Sequence, residues 1–283
     1  MNAAPPHARL VTALFFFSGL SSLVLETVWV RQMVLVFGST TFAVSTVLTA
    51  FMAGLALGSF LAGSFTDRLR ERPGSALAIY ALLELGIGLY ALLMPTLAGH
   101  LPQLHQLLWG SMHGSYHAFA TVRFLLAAVL LALPTLAMGA TLPVLAHYVT
   151  SGRHGIQDGK EAGKAVGTLY AVNTAGAVAG VFCAGFLLLP TIGLWATNLT
   201  ACLADLVLAA VALLLYRSVR GSAPPSPGPA ADALDPGAGP LSMLARLTLV
   251  SVAVSGALAM VNQVAWTRAL SLVIGSSTYA FSL

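Results

Sequence analysis

Residues 41–66 read TFAVSTVLTAFMAGLALGSFLAGSFT and contain no charged side chain. A helix needs about 20 mostly apolar residues to cross the hydrocarbon core of a bilayer, and this run is long enough. The whole chain has the same character, since 58% of its 283 residues are hydrophobic, 8% are charged, and the mean hydropathy is +0.87. Soluble domains carry about a quarter charged residues. We therefore predict an integral membrane protein and exclude a soluble globular enzyme, a disordered chain and a nucleic-acid-binding protein.

Similar apolar stretches lie on both sides of this run. The sequence predicts a first unit of six spanning helices, at 10–37, 41–66, 75–98, 119–146, 165–190 and 192–216, and a seventh helix from about 243 to 273. Residues 218–241 are rich in Pro, Gly, Ala and Ser, which is typical of a flexible linker. We divide the chain into a six-helix unit (1–217), this linker, and the start of a second transmembrane unit (242–283). Because the sequence stops a few residues into what reads as an eighth helix, we expect a fragment.

The orientation follows from the basic residues, which favour cytoplasmic loops. Of the 13 Lys and Arg residues, ten fall on one side if the N-terminus is cytoplasmic: Arg9, Arg68, Arg70, Arg72, Arg153, Lys160, Lys164, Arg217, Arg220 and Arg246. The other three, Arg31, Arg123 and Arg268, lie within predicted spans or at their outer ends. We expect a cytoplasmic N-terminus.

Metal and cofactor sites are not indicated. Segment 99–118 carries four histidines at spacings of 5, 8 and 4, which match no compact ligand pattern. We predict a short interfacial helix there, anchored by Trp109. Cys183 and Cys202 both fall in apolar runs, so neither a disulfide framework nor a metal cluster is expected.

An internal repeat links the two ends of the chain. A shift of 237 residues aligns 9–46 with 246–283 without a gap and gives 14 identities in 38 positions, including Trp29 with Trp266 and Arg31 with Arg268. An even number of helices separates the copies, so they run in the same direction. Two parallel six-helix units joined by a cytoplasmic linker are the plan of the major facilitator transporters, which predicts an all-α, major-facilitator-like bundle.

A weaker internal similarity lies within the first unit, where residues 42–46 (FAVST) resemble 170–174 (YAVNT) on helices of opposite direction. Nested inverted repeats would produce this pattern. The glycine pairs Gly54/Gly58 and Gly176/Gly180 predict faces at which helices pack closely.

The loop after the second predicted helix resembles the major facilitator signature between helices 2 and 3. Residues 58–72 read GSFLAGSFTDRLRER, with a glycine-spaced helix end followed by Asp67 and Arg68, although the usual glycine between the arginines is missing. An aspartate beside arginines can form a gating ion pair that breaks and re-forms. The alternative is ordinary basic charge at a cytoplasmic helix end.

Three further stretches narrow the resemblance. Residues 37–59, 134–143 (PTLAMGATLP) and 167–177 (GTLYAVNTAGA), together with the motif Glu26-x2-Trp29-x-Arg31, resemble the membrane region of the bacterial fused major-facilitator/spermidine-synthase family. The resemblance covers nearly all of residues 10–216 and the second copy of the repeat at 246–283. It implies a transporter-like region in a bacterial cytoplasmic membrane that handles a polyamine or another small (cationic) solute.

In that family, a cytoplasmic domain similar to polyamine aminopropyltransferases follows the membrane region. The resemblance therefore implies such a domain as a partner, one that transfers an aminopropyl group from decarboxylated S-adenosylmethionine to a diamine. We find no Gly-rich cofactor loop after a strand in these 283 residues, so we assign no catalytic residue and no cofactor to them.

Ionisable residues inside the predicted spans are the candidate site residues, because each costs at least about 2.5–3.5 kcal/mol on insertion scales. Our hypothesis is a polar cavity in which Glu26, Glu84 and Asp205 carry protons or attract a cationic solute, with Asn173 lining the same cavity. Arg31 and Arg123 would then order the outer gate. The alternative is structural: ion pairs of Glu84 with Arg123 or Arg31, and interhelical hydrogen bonds of Asn173.

Three functions remain open at this point. The first is the transporter-like domain of a fused protein, and the second is an ordinary proton-coupled facilitator. The third is a non-transporting membrane anchor for a cytoplasmic aminopropyltransferase-like domain.

Overall fold

The computed structural model of the chain describes residues 7–37, 41–66, 75–111, 116–151, 159–220 and 243–275. Within these ranges every regular element is helical and there is no strand, which confirms the predicted all-α class. The elements are α1 (Ala8–Phe37), α2 (Thr41–Thr66), α3 (Ser75–Ser111), α4 (Tyr116–Ser151), α5 (Gly159–Phe182), a π-helical segment (Cys183–Leu188), α6 (Leu189–Arg220) and α7 (Met243–Ile274).

Six helical stretches are long and apolar enough to cross a membrane, and one of them, Lys160–Arg220, has 61 residues. A straight helix of that length would be about 90 Å long, roughly three times the thickness of the hydrocarbon core. The chain reverses at Gly193, which has φ 76° and ψ 179° inside the helical run. Glycine adopts this positive φ without the steric penalty of a side chain. The stretch therefore makes two crossings, as the sequence predicted at 165–190 and 192–216.

Helix α3 is longer than predicted. We expected a span at 75–98 and a separate interfacial helix at 99–118, but α3 continues without a break to Ser111. The prolines Pro95 and Pro102 lie inside it and do not end it. The extension continues because Leu101 is still buried in the bundle, and packing against neighbouring helices tolerates proline in such a helix.

Two hydrophobic clusters show the direction of the helices. One cluster, here called the α1-start cluster, joins the beginnings of α1, α3 and α5 to the ends of α2, α4 and α6; its members include Val11, Phe15, Ala62, Leu77, Leu145, Leu169 and Leu215. The other, the α1-end cluster, joins later residues of α1 and α3 to earlier residues of α2, α4 and α6; its members include Trp29, Met33, Leu48, Met94, Leu131 and Cys202. Successive helices therefore alternate in direction from α1 to α6, as a chain that repeatedly crosses a membrane requires.

The most extensive interfaces pair α2 with α4, α1 with α5, and α3 with α6. These pairs are symmetric if α1, α2 and α3 are taken to correspond to α4, α5 and α6. Under this correspondence the α2–α4 pair matches the α5–α1 pair, and the α3–α6 pair matches itself. Helices α1 and α4 run in opposite directions, so the corresponding helices of the two halves have opposite orientations.

Glycines bring these helix pairs into backbone contact. A Cβ atom at Gly58 of α2 would overlap the carbonyl oxygen of Leu136 in α4, and one at Gly180 of α5 would overlap the carbonyl oxygen of Leu20 in α1. Gly54 and Gly176, one turn earlier, are equally close to their partner helices. The predicted close-packing faces are confirmed.

Helix α7 stands largely apart from the other six. Its side chains are mostly exposed and it contacts α2 only sparingly. The predicted linker lies largely outside the described residues, at 221–242, and so does the end of the predicted second unit, at 276–283.

Candidate functional site

Four polar side chains form a layer between the two hydrophobic clusters: Ser18 and Ser21 on α1, Glu84 on α3 and Asp205 on α6. We call this set the acidic layer. Each of the four side chains is at most 2% exposed. The layer lies near the middle of the bundle, because apolar cluster residues precede and follow it on all three helices.

Serine hydroxyls on α1 donate a hydrogen bond to one oxygen of each carboxylate of the layer. Ser18 Oγ donates a hydrogen bond to Glu84 Oε1 at 2.6 Å, and Ser21 Oγ donates one to Asp205 Oδ1. The two serines are three residues apart, so they project from one face of the helix. The structure therefore brings together Glu84 and Asp205, two of the predicted site residues, through α1.

The acidic layer still lacks positive charge. Glu84 and Asp205 are close enough to interact electrostatically, and among the described residues Asp205 Oδ2 is buried without a hydrogen-bond partner. Two carboxylates in a dry interior repel each other when both are charged. A proton or a bound cation relieves that repulsion, so the layer is suited to hold one.

A second polar network fixes the same three helices at the α1-end side of the layer. Trp29 Nε1 donates a hydrogen bond to Asn198 Oδ1 at 3.1 Å, and Asn198 Nδ2 donates one to the carbonyl oxygen of Ala91 at 2.6 Å. The thiol of Cys202 lies 3.0 Å from the carbonyl oxygen of Gly88. These contacts join α1 and α6 to α3 and hold Glu84 and Asp205 in register.

Glu26 lies apart from the acidic layer. It is 1% exposed, and neither carboxylate oxygen has a hydrogen-bond partner among the described residues. Glu26 follows Gly19 by seven residues, which at about 100° per residue places both on one face of α1. Gly19 packs against Asn173 of α5. Glu26 therefore lies on the α5 side of α1, whereas Ser18 and Ser21 face α3 and α6.

Asn173 and Arg31 occupy other positions. Asn173 Nδ2 donates a hydrogen bond to the carbonyl oxygen of Phe15 at 3.0 Å, so this side chain joins α5 to α1. Arg31 is half-buried and lies 13 residues beyond Ser18, about 20 Å along the helix axis. Glu84 is therefore beside Ser18 and far from the level of Arg31.

Three predicted gating residues cannot be placed in the site. Arg123 belongs to α4, but its side chain is outside the described part of the structure. Asp67 and Arg68 lie outside the described residues altogether. Their proposed role stays a prediction.

Ser18 and Ser21 were not predicted as site residues. The available signal was two hydroxyls at i and i+3 in an otherwise apolar helix, because such a pair gives one helix face two hydrogen-bonding groups.

A cavity of about 290 Å³ opens at the end of the bundle where α1 and α5 begin. Its lining includes Thr12, Glu161 and Lys164. Thr12 precedes Ser18 by six residues, so this lining residue lies about 9 Å along α1 from the acidic layer.

Protein-family models, curated proteins and solved structures were all compared with the chain, and none of them matches. The apolar spans of alternating direction define the class: a multi-pass helical membrane protein.

Proposed function

We propose that the chain is a transporter-like membrane domain that binds a small cationic solute, or protons, at the acidic layer. The observation that carries this proposal is the pair Glu84 and Asp205, which are buried, adjacent and near the middle of the bundle. Ionisable groups at such depth are costly and typically mark ion or substrate pathways. The serine hydrogen bonds hold one oxygen of each carboxylate and leave Asp205 Oδ2 available to a ligand.

A major-facilitator-like plan supports the transport role. The pairing of helices is symmetric between the first three and the last three, as nested inverted repeats would produce. The segment 246–283, which aligns with 9–46, indicates a second, parallel unit. Substrate sites in such proteins lie near the bilayer midplane, at the depth of the acidic layer.

A polyamine is the solute class that we favour. Its ammonium groups are chemically complementary to two neighbouring carboxylates, and the resemblance to the fused major-facilitator/spermidine-synthase family points to the same class. That resemblance also leads us to propose a bacterial inner-membrane location and a cytoplasmic aminopropyltransferase-like domain as partner. The basic residues favour a cytoplasmic N-terminus, which puts the cavity beside Thr12 and Lys164 on the cytoplasmic side.

Binding of radiolabelled spermidine to the purified chain in lipid nanodiscs tests the proposal. We expect Glu84→Gln and Asp205→Asn each to weaken binding at least about tenfold, because one of two charge partners is lost. Glu26→Gln is the matched control, since it makes the same change at a buried carboxylate that lies apart from the acidic layer. Equal affinity in all three variants and the unaltered chain would contradict a polyamine site in the layer.

A non-transporting membrane anchor is the second candidate. It is favoured by the hydrogen bonds that already satisfy one oxygen of each carboxylate, and by the lining of the cavity beside Thr12, which includes none of the four residues of the layer. Under this alternative, Glu84→Gln lowers the melting temperature while spermidine binding is absent in every form. An ordinary proton-coupled facilitator instead predicts proton release on solute binding that Glu84→Gln removes, with a solute other than a polyamine.

A further inference from the structure

We propose that Glu26 and the π-helical segment Cys183–Leu188 form a site for one small monovalent metal cation of the Na⁺ class, separate from the acidic layer. This inference goes beyond the proposed function, which concerns Glu84 and Asp205. It stands on three observations about the α1–α5 side of the bundle.

The first observation is the unsatisfied state of Glu26. Its side chain is 1% exposed and both carboxylate oxygens lack a hydrogen-bond partner among the described residues. A carboxylate without donors or a counter-charge is strongly disfavoured in a low-dielectric interior. The position therefore calls for a bound positive charge.

The second observation is that the π-helical segment lies at the level of Glu26. Helices α1 and α5 are parallel, and they meet in matched steps of four residues, with Gly176 against Phe16 and Gly180 against Leu20. The next step places residue 184, at the start of the π-helical segment, beside residue 24 of α1, two residues before Glu26. The segment contacts α1 directly, and its buried Ala184 belongs to the same cluster as Val24 and Val28.

The third observation is a backbone carbonyl group released by this segment. The Leu189 N–H donates to the carbonyl of Ala184, the π-helical partner, instead of to that of Gly185, the α-helical one. The π-helical donor for Gly185 would be residue 190, which is proline and has no N–H. The carbonyl of Gly185 thus loses both regular helical donors, although Gly185 is buried.

The chemistry of the site follows from these groups. Carboxylate and carbonyl oxygens are hard ligands that suit alkali and alkaline-earth cations. One carboxylate balances one positive charge, which favours a monovalent over a divalent ion. Interrupted membrane helices of transporters use the same device, with released backbone carbonyls coordinating Na⁺. Irregular backbone is tolerated at this depth only where it is buried in protein or lines a cavity.

Equilibrium binding of ²²Na⁺ to the purified chain in nanodiscs tests the inference, at fixed pH and with choline chloride keeping the ionic strength constant. We expect saturable binding of one ion per chain that Glu26→Gln abolishes. We expect Pro190→Ala to weaken it at least about threefold, because the new N–H competes for the Gly185 carbonyl. Gln263 occupies the position aligned with Glu26 in the repeat, so a glutamine is compatible with a helix of this sequence.

Glu161→Gln, at an exposed acidic residue at the start of α5, is the matched control and should bind ²²Na⁺ like the unaltered chain. Glu84→Gln separates this site from the acidic layer. Absence of saturable binding to the unaltered chain would overturn the inference, and so would normal binding by Glu26→Gln. Loss of binding in Glu84→Gln with normal binding in Pro190→Ala would move the ion to the acidic layer and also overturn it. Proton release without ²²Na⁺ binding would show that Glu26 holds a proton instead. Since spermidine binding is tested on Glu84 and ²²Na⁺ binding on Glu26, either proposal can fail alone.

Discussion

The two sides of α1 differ in how they accommodate a buried carboxylate. On the side of α3 and α6, Ser18 and Ser21 donate hydrogen bonds to Glu84 and Asp205. On the side of α5, Glu26 is buried with no donor among the described residues.

The nature of the two interfaces explains this difference. Side chains fill the space between α1 and its partners α3 and α6, so hydroxyl and indole groups are present there as donors. The α1–α5 interface is instead a glycine contact in which the backbones touch. Such a contact presents main-chain carbonyl oxygens, those of Phe16 and Leu20, which accept hydrogen bonds and cannot donate them. Asn173 Nδ2, a side-chain donor at this interface, already donates to the carbonyl oxygen of Phe15, and Glu26 lies beyond these contacts along α1.

The largest expected effect comes from forcing the glycine interface open. Gly180→Val would place side-chain atoms on the carbonyl oxygen of Leu20, so α5 would have to move away from α1. We expect the free energy of unfolding to fall by about 3 kcal/mol or more. Thermal unfolding of the purified chain in detergent measures this change.

Gly167→Val is the matched control for this variant. It lies on the same helix, and a Cβ atom there would meet nothing within 4 Å. Its effect should stay below about 1 kcal/mol, because valine has a higher helix propensity than glycine. Similar melting temperatures for the two variants would show that α1 and α5 do not depend on backbone contact.

An intermediate effect on the free energy of unfolding is expected at the hydrogen bond between Ser18 and Glu84. Ser18→Ala removes the hydrogen bond that α1 donates to Glu84 Oε1, at a carboxylate that stays buried. We expect a loss of about 1–3 kcal/mol in the free energy of unfolding. Ser64→Ala, in which the exposed hydroxyl bonds only to its own helix, should change it by less than about 0.5 kcal/mol. Equal effects would mean that the hydroxyl of Ser18 contributes nothing beyond an ordinary helix serine.

The smallest expected effect is at the network that joins α1 to α6. Trp29→Phe keeps an aromatic ring in the core but removes the N–H that Asn198 Oδ1 accepts. We expect about 1 kcal/mol of destabilisation. Trp195→Phe, at a ring that is 65% exposed, is the control and should be nearly neutral. A neutral Trp29→Phe would show that Asn198 is held by the carbonyl of Ala91 alone.

Much of the fold was predictable because a bilayer imposes a strong and simple pattern. Uninterrupted apolar runs of sufficient length identified the spans of α1, α2, α4, α5 and α6, and the glycine pairs Gly54/Gly58 and Gly176/Gly180 identified close-packing faces. The end of α3 was predicted wrongly, because the weaker hydropathy after residue 98 suggested a separate helix. The buried Leu101 shows that packing, which a hydropathy pattern does not contain, keeps the helix continuous.

The candidate site was predictable only as a set of residue types. The cost of charge in hydrocarbon singles out Glu26, Glu84 and Asp205 from the sequence alone, because that cost depends on composition and depth. Their partners depend on how each helix is rotated and which neighbour it meets, since a rotation by one residue turns a side chain by about 100°. The tertiary structure therefore decided that Glu84 and Asp205 share α1 serines while Glu26 faces α5. The sequence by itself determined the crossings of the membrane and the residues that are costly inside it.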